Sequence, residues 1–190
     1  MLARTLAIAF VAIIAGCHSS PPKRFYVLDA IAGDHALVSQ PGDPIQVAEI
    51  NIPPSLDRQE MVREDAPDSL QISDVHRWGA PLADMIQNVL TQNLIHRLPA
   101  GRVIPPRTAA PAGTHEITVD ILKFERDSSG QVVLDGGWSL YRLGSDTPIL
   151  TRHVALSERI PADYDAQAHA MSRLLSQLAD DIAANASSTR

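Results

Sequence analysis

Leu82, Met85, Ile86, Val89, Leu90, Leu94 and Leu98 recur at three- and four-residue steps. That spacing gathers side chains on one side of a 3.6-residue helix. It predicts a helix over Pro81–Leu98, with Asp84, Asn88 and Thr91 away from the centre of the apolar stripe. Its start suits either Asp74 as N-cap or Pro81 as first helical residue, since proline has no N–H to leave unpaired there. Pro99 and Gly101 end it. A stripe this wide calls for a large partner surface, most simply a β-sheet. A second helix follows Asp163, its expected cap. Tyr164, Ala168, Met171, Leu175, Leu178 and Ile182 form a narrow stripe, with Arg173, Gln177 and Asp180 opposite.

Elsewhere the period shortens to two, the signature of strands. Phe25–Asp29 is a short strand. Ile45–Ile52 is apolar on both faces, as a central strand would be, and Pro53-Pro54 stops it. Gln59–Glu64 and Ser69–Ser73 flank the turn-like Asp65–Asp68 and predict a hairpin. Arg102–Pro105 suits an edge strand. His115–Arg126, Gln131–Leu143 and Pro148–Ile160 predict an antiparallel meander, turning at Ser128–Gly130 and Gly144–Thr147. Gly136-Gly137 ahead of Trp138 suggests a bulge or bend and a sheet packed closely on a helix. The expectation is one α+β domain over residues 25–190: an antiparallel or mixed sheet with the two main helices packed against it.

The first residues follow a different rule. Arg4 precedes an apolar run of ten, Leu6–Ala15. A bilayer span needs about 20, so the run suits the core of a signal peptide, residues 1–16. It ends in Ile14-Ala15-Gly16-Cys17, which resembles the bacterial lipobox. The resemblance implies cleavage before Cys17, a diacylglyceryl thioether on its sulfur and acylation of the new amine. Cys17 is the single cysteine of the chain, so an internal disulfide is excluded. Residues 17–24 then form a tether. Its seven residues after Cys17 reach at most roughly 23–25 Å, and Pro21-Pro22 stiffens it. His18 stands where an aspartate favours inner-membrane retention, which implies the outer membrane. The formal net charge of −6 becomes one unit more negative when Arg4 leaves. That balance argues against nucleic acid as a partner.

Reactive constellations are missing from the sequence. There is no G-x-S-x-G, phosphate-binding glycine loop, H-E-x-x-H or C-x-x-C. The seven histidines have no ligand-like spacing among themselves, so no metal or cofactor is expected. Asp74 and His76 lack an accompanying nucleophile.

Other residues carry a resemblance. Ile50-Asn-Ile-Pro-Pro-Ser-Leu-Asp-Arg58 with Met61-Val-Arg63, Asp74-Val-His-Arg-Trp-Gly-Ala-Pro-Leu82, Leu90-Thr-Gln-Asn-Leu94 and Phe25-Tyr-Val-Leu28 resemble the motifs of the ABC-type transport auxiliary lipoproteins, the PqiC-like family. Gln59 and Gly79-Ala80 depart from the pattern. The resemblance implies a non-catalytic lipoprotein on the periplasmic face of the outer membrane. It would dock the periplasmic tube of a mammalian-cell-entry (MCE) domain protein in an intermembrane lipid transport system. The alternatives are a lipid-anchored periplasmic hydrolase and a secretion or cell-wall assembly component. The polar segments beside the first helix nominate Asp57, Arg58, Asp74, His76, Arg77 and Trp78. They are read as contacts for the MCE protein or for neighbouring copies in a homo-oligomer, with internal ion pairs as the competing reading. Trp78 and Trp138 each have core packing as the simpler explanation.

Overall fold

A computed structural model describes residues 21–33 and 42–186. Cys17 and the cleavage site lie outside the described residues. The element order is β1 (Arg24–Tyr26), β2 (Ile45–Asn51), β3 (Glu60–Ala66), β4 (Ser69–Trp78), α1 (Leu82–Arg97), β5 (Val103–Ile104), β6 (His115–Arg126), β7 (Gln131–Arg142), β8 (Pro148–Arg159) and α2 (Tyr164–Ala186). The eight strands form one mixed sheet, and both helices pack on one of its faces. The fold is α+β.

β6 is the spine of the sheet. On one side it pairs antiparallel with β7, and β7 with β8, as the meander pattern predicts. Its other edge is shared. Residues 115–120 pair in parallel with β2, and Arg126 pairs in parallel with β3. β5 lies beyond β2, while β4 and then β1 lie beyond β3. The sheet therefore splits into two wings along that edge. A bulge in β6 between Ile121 and Lys123 lies where one wing gives way to the other. A bulge adds a residue and sharpens the local twist, and here the added residue, Leu122, is exposed.

The glycine pair in β7 has a different role from the one expected. β7 stays paired through Gly136 and Gly137, and the bulge is in the strand opposite. A Cβ on Gly136 would lie 2.3 Å from the Asp120 carbonyl oxygen, and one on Gly137 2.8 Å from that of Arg152. The glycines admit the neighbouring strands, not a helix.

α1 begins at Leu82, with Pro81 as its cap residue and not its first helical one; Asp74 lies inside β4. Every residue of the Leu82–Leu98 stripe is buried. The helix is also buried beyond that stripe, at Thr91, Asn93 and Arg97. Thr91, expected off-centre, donates its hydroxyl to the Gln87 carbonyl within the helix. The extra burial arises because α1 contacts α2 and the chain after β1 as well as the sheet. α2 is wider in the same way. Asp163 accepts from the Asp165 and Ala166 N–H groups at 3.3 Å, as a cap should. Asp180, expected to face solvent, instead pairs with Arg97.

Arg97 is almost fully buried. Its Nε donates to Asp180 Oδ1 at 2.5 Å and its Nη2 to Ser176 Oγ at 2.6 Å, both on α2. Its Nη1 donates to the carbonyls of Asn93 and Ile31. The chain after β1 is thereby strapped across both helices. Leu28 is buried, the Asp29 N–H donates to Ser172 Oγ, and the Ile31 N–H donates to Asn93 Oδ1. A second clamp holds α2 to the meander. Asp181 accepts Trp138 Nε1 at 2.8 Å and two bonds from Arg152.

Leu90→Asp is expected to lower stability by more than about 3 kcal/mol, because it places an unpaired carboxylate in the core. Gly136→Ala should cost about 1–3 kcal/mol or more, since the clashing atom is backbone and can move only with its strand. Chemical denaturation of both variants checks the two values.

Candidate functional site

The Pro53–Arg58, Met61–Arg63, Asp74–Trp78 and Phe25–Leu28 motif residues meet at the β1–β4–β3 wing, whereas Leu90–Leu94 lies within α1. After β2, Pro53-Pro54 opens a tight turn in which the Leu56 and Asp57 N–H groups donate to the Pro53 carbonyl. Leu56 is buried and anchors the turn, leaving Asp57 exposed. Arg58 is half-buried, and its Nε has no hydrogen-bond partner among the described residues. The turn joins the end of β4 through the Trp78 N–H, which donates to the Gln59 carbonyl at 2.6 Å. Next along the ladder, Arg77 faces Glu60, and their side chains form an ion pair at 3.0 Å.

The segment Asp74–Trp78, expected as a strand-to-helix junction, is the second half of β4. A long irregularity in the β3–β4 register runs through most of it, between the Val62–Ile72 and Glu60–Arg77 pairs. There Ser73 Oγ accepts from the Val75 and His76 N–H groups. That local bond holds the bulged backbone. Asp74 projects to solvent, whereas Trp78 is only 3% exposed and packs in the core. The structure thus brings Asp57, Arg58, Arg77 and Trp78 to one end of the wing, with Trp78 beneath the surface.

His76 belongs to an aromatic column that sequence reasoning missed. Its Nδ1 lies 2.7 Å from the Tyr26 hydroxyl, and its ring stacks on Tyr164 at 3.9 Å. On the same Tyr164 ring sits the buried Arg63 guanidinium, 3.4 Å from the centroid. Arg63 Nε donates to Gln167 Oε1, and Gln167 Nε2 donates to the Val62 carbonyl. A cation over an aromatic face is attracted by the ring quadrupole. The column therefore ties β1, β3 and β4 to the first turn of α2. Burial, then the positive charges of Arg24 and Arg63, hold the His76 imidazole below its usual value. Burial, then Asp165, raises the Tyr26 phenol. The signal available in the sequence was limited to Arg63 directly after the apolar pair Met61-Val62, in a strand that carries three other charges. Its partners lie a hundred residues away and leave no local trace.

The helix-free face of the sheet carries a groove of about 760 Å³ lined in part by Glu49, Glu116, Asp120 and Asp146. Asn51 Nδ2 donates to Asp120 Oδ1 within it. Among the described residues, no group of three or more histidine, cysteine or acidic side chains is placed to hold a metal ion.

The lowered His76 pKa has a defined consequence for stability. As pH falls from about 7 toward 5, the unfolded chain takes up the proton before the folded one. Stability should therefore fall across that window. His76→Phe keeps a ring against Tyr164 and should flatten part of the slope, read as the difference in melting temperature between variant and wild type at each pH.

Residues 26–183 match the family model for the ABC-type transport auxiliary lipoprotein component. Intermembrane transport lipoprotein PqiC of Escherichia coli (strain K12) is 26% identical over 133 residues, covering 69% of this chain and 70% of that protein. PqiC of Shigella flexneri matches to the same extent. Two crystal structures share the fold. One, of an uncharacterised protein, superposes with a TM-score of 0.71 at 20% identity, over 86% of this chain and 97% of that one. The other, of a Xanthomonas campestris protein, has a TM-score of 0.66 at 17% identity, over 84% and 92%. With the family model spanning both helices and nearly the whole sheet, the chain belongs to the ABC-type transport auxiliary lipoproteins, the family that includes PqiC.

Proposed function

We propose that this lipoprotein is the outer-membrane docking subunit of an MCE-type intermembrane lipid transporter. The family match over residues 26–183 carries the reading, and the relative named as an intermembrane transport lipoprotein supports it. The Ile14-Ala15-Gly16-Cys17 lipobox supplies the anchor. Three acyl chains hold a protein stably at a bilayer, since each buried CH₂ contributes about 0.8 kcal/mol. Among the described residues no helix is long and apolar enough to cross a membrane.

The contact with the MCE protein is assigned to the polar end of the β1–β4–β3 wing. Asp57, Asp74 and the exposed edges of Arg58 and Arg77 form its surface, and Trp78 supports it from below. Charged rims of this kind steer association and fix register more than they add affinity.

Two experiments test the proposal. Cys17→Ser should abolish labelled palmitate incorporation and leave the precursor uncleaved by the lipoprotein peptidase; wild-type incorporation would refute the anchor. For docking, the protein is crosslinked in membranes and the co-purifying MCE protein is quantified. Asp57→Lys and Asp74→Lys should reduce its recovery several-fold with an unchanged melting temperature. Trp78→Ala should instead lower the melting temperature, by the loss typical of a buried aromatic, about 3–5 kcal/mol in stability. Undiminished recovery in both charge-reversal variants would move the docking surface elsewhere on the domain.

A further inference from the structure

Side chains around β1 alternate strictly. Tyr26 and Leu28 are buried, whereas Phe25 is 64% and Val27 58% exposed. Two large apolar groups one step apart on the same side make a patch where scattered single ones would need no explanation. Among the described residues β1 is an edge strand that pairs with β4 alone. Lys23 and Arg24 precede the patch, both exposed, in a chain that is otherwise acidic.

We propose that Phe25 and Val27, preceded on the same side by Lys23, rest on the bilayer and set the orientation of the domain above it. The inference rests on the lipid-anchor reading. Phe25 is eight residues beyond Cys17, a distance of at most roughly 26–29 Å in extended chain. An anchored Cys17 keeps this patch within reach of the headgroups, so a contact too weak to bind alone is favoured by its high effective concentration. The chemistry matches the site: aromatic and branched side chains enter the boundary between headgroups and acyl chains, and the Lys23 ammonium meets anionic headgroups. A protein strand added to this edge would gain little, because β1 offers only three residues for ladder bonds. The contact would hold the strap that follows β1, and through it both helices, at a defined angle to the membrane.

Depth-dependent quenching tests the proposal on the full lipidated chain. The lipid occupies the native thiol, so a cysteine placed at Val27 is the single labelling site. Val27→Cys and, as control, Ala155→Cys on β8 carry the same fluorophore. Each protein is placed in vesicles of phosphatidylethanolamine with a minority of phosphatidylglycerol and a nitroxide-bearing lipid. Quenching at position 27 should exceed that at 155 several-fold, and Lys23→Glu should reduce it. Flotation with the vesicles reads the anchor independently. A wild-type chain that fails to float overturns the anchor and the patch with it. A chain that floats but is quenched equally at both positions overturns the patch alone. A label at 27 that is shielded without lipid quenching assigns the patch to a protein partner and also overturns the proposal.

Discussion

The buried guanidinium of Arg97 is the interaction on which the arrangement of layers depends. It leaves α1 and reaches a carboxylate and a hydroxyl on α2, while its remaining nitrogen bonds carbonyls of α1 and of the chain after β1. A buried charge is costly unless its donors are satisfied. The geometry that satisfies Arg97 requires both helices and the strap in one relative position. Asp180 remains half exposed, so water solvates the far side of the pair. Apolar packing would tolerate small slides of α1 over α2, whereas directed bonds from one rigid fork do not.

The sheet has a corresponding device at its other end. Arg63, Tyr164, His76 and Tyr26 stack into a column joining three strands to the start of α2. Between these two ties the bulge at Leu122 and the glycines of β7 let the sheet split into wings without opening its core. Most of the family motif residues lie at the end of one wing, beside β1. A domain fastened at both ends of α2 presents that end as a fixed surface, which suits a docking part better than a moving one.

Several elements were legible from the sequence because their determinants are local. The α1 stripe repeats every three or four residues, and all of it is buried. The three meander strands alternate over most of their length and turn at Gly130 and Gly144, so their limits fall within a residue or two of those read from the pattern. The Asp163 cap and the Asp65–Asp68 turn also depend on neighbours in the chain. Asp68 takes the left-handed conformation that its type tolerates. The family motifs are likewise short contiguous strings.

What the sequence by itself determined is the set of elements, the buried stripe of α1, the meander and the family. Only the tertiary structure decided that Asp180 pairs with the buried Arg97, that Trp78 supports a surface without lying on it, and that Gly136 and Gly137 make room for strands. It also decided the parallel pairing of β6 with both β2 and β3, and the Arg97 and Arg63 networks. The physical reason is common to all of these. Periodicity records which side of an element is apolar, a property set by the nearest few residues. Which polar group satisfies a buried cation is set by partners 83 residues away for Arg97 and 104 for Arg63, and a pairing at that separation leaves no mark on local pattern.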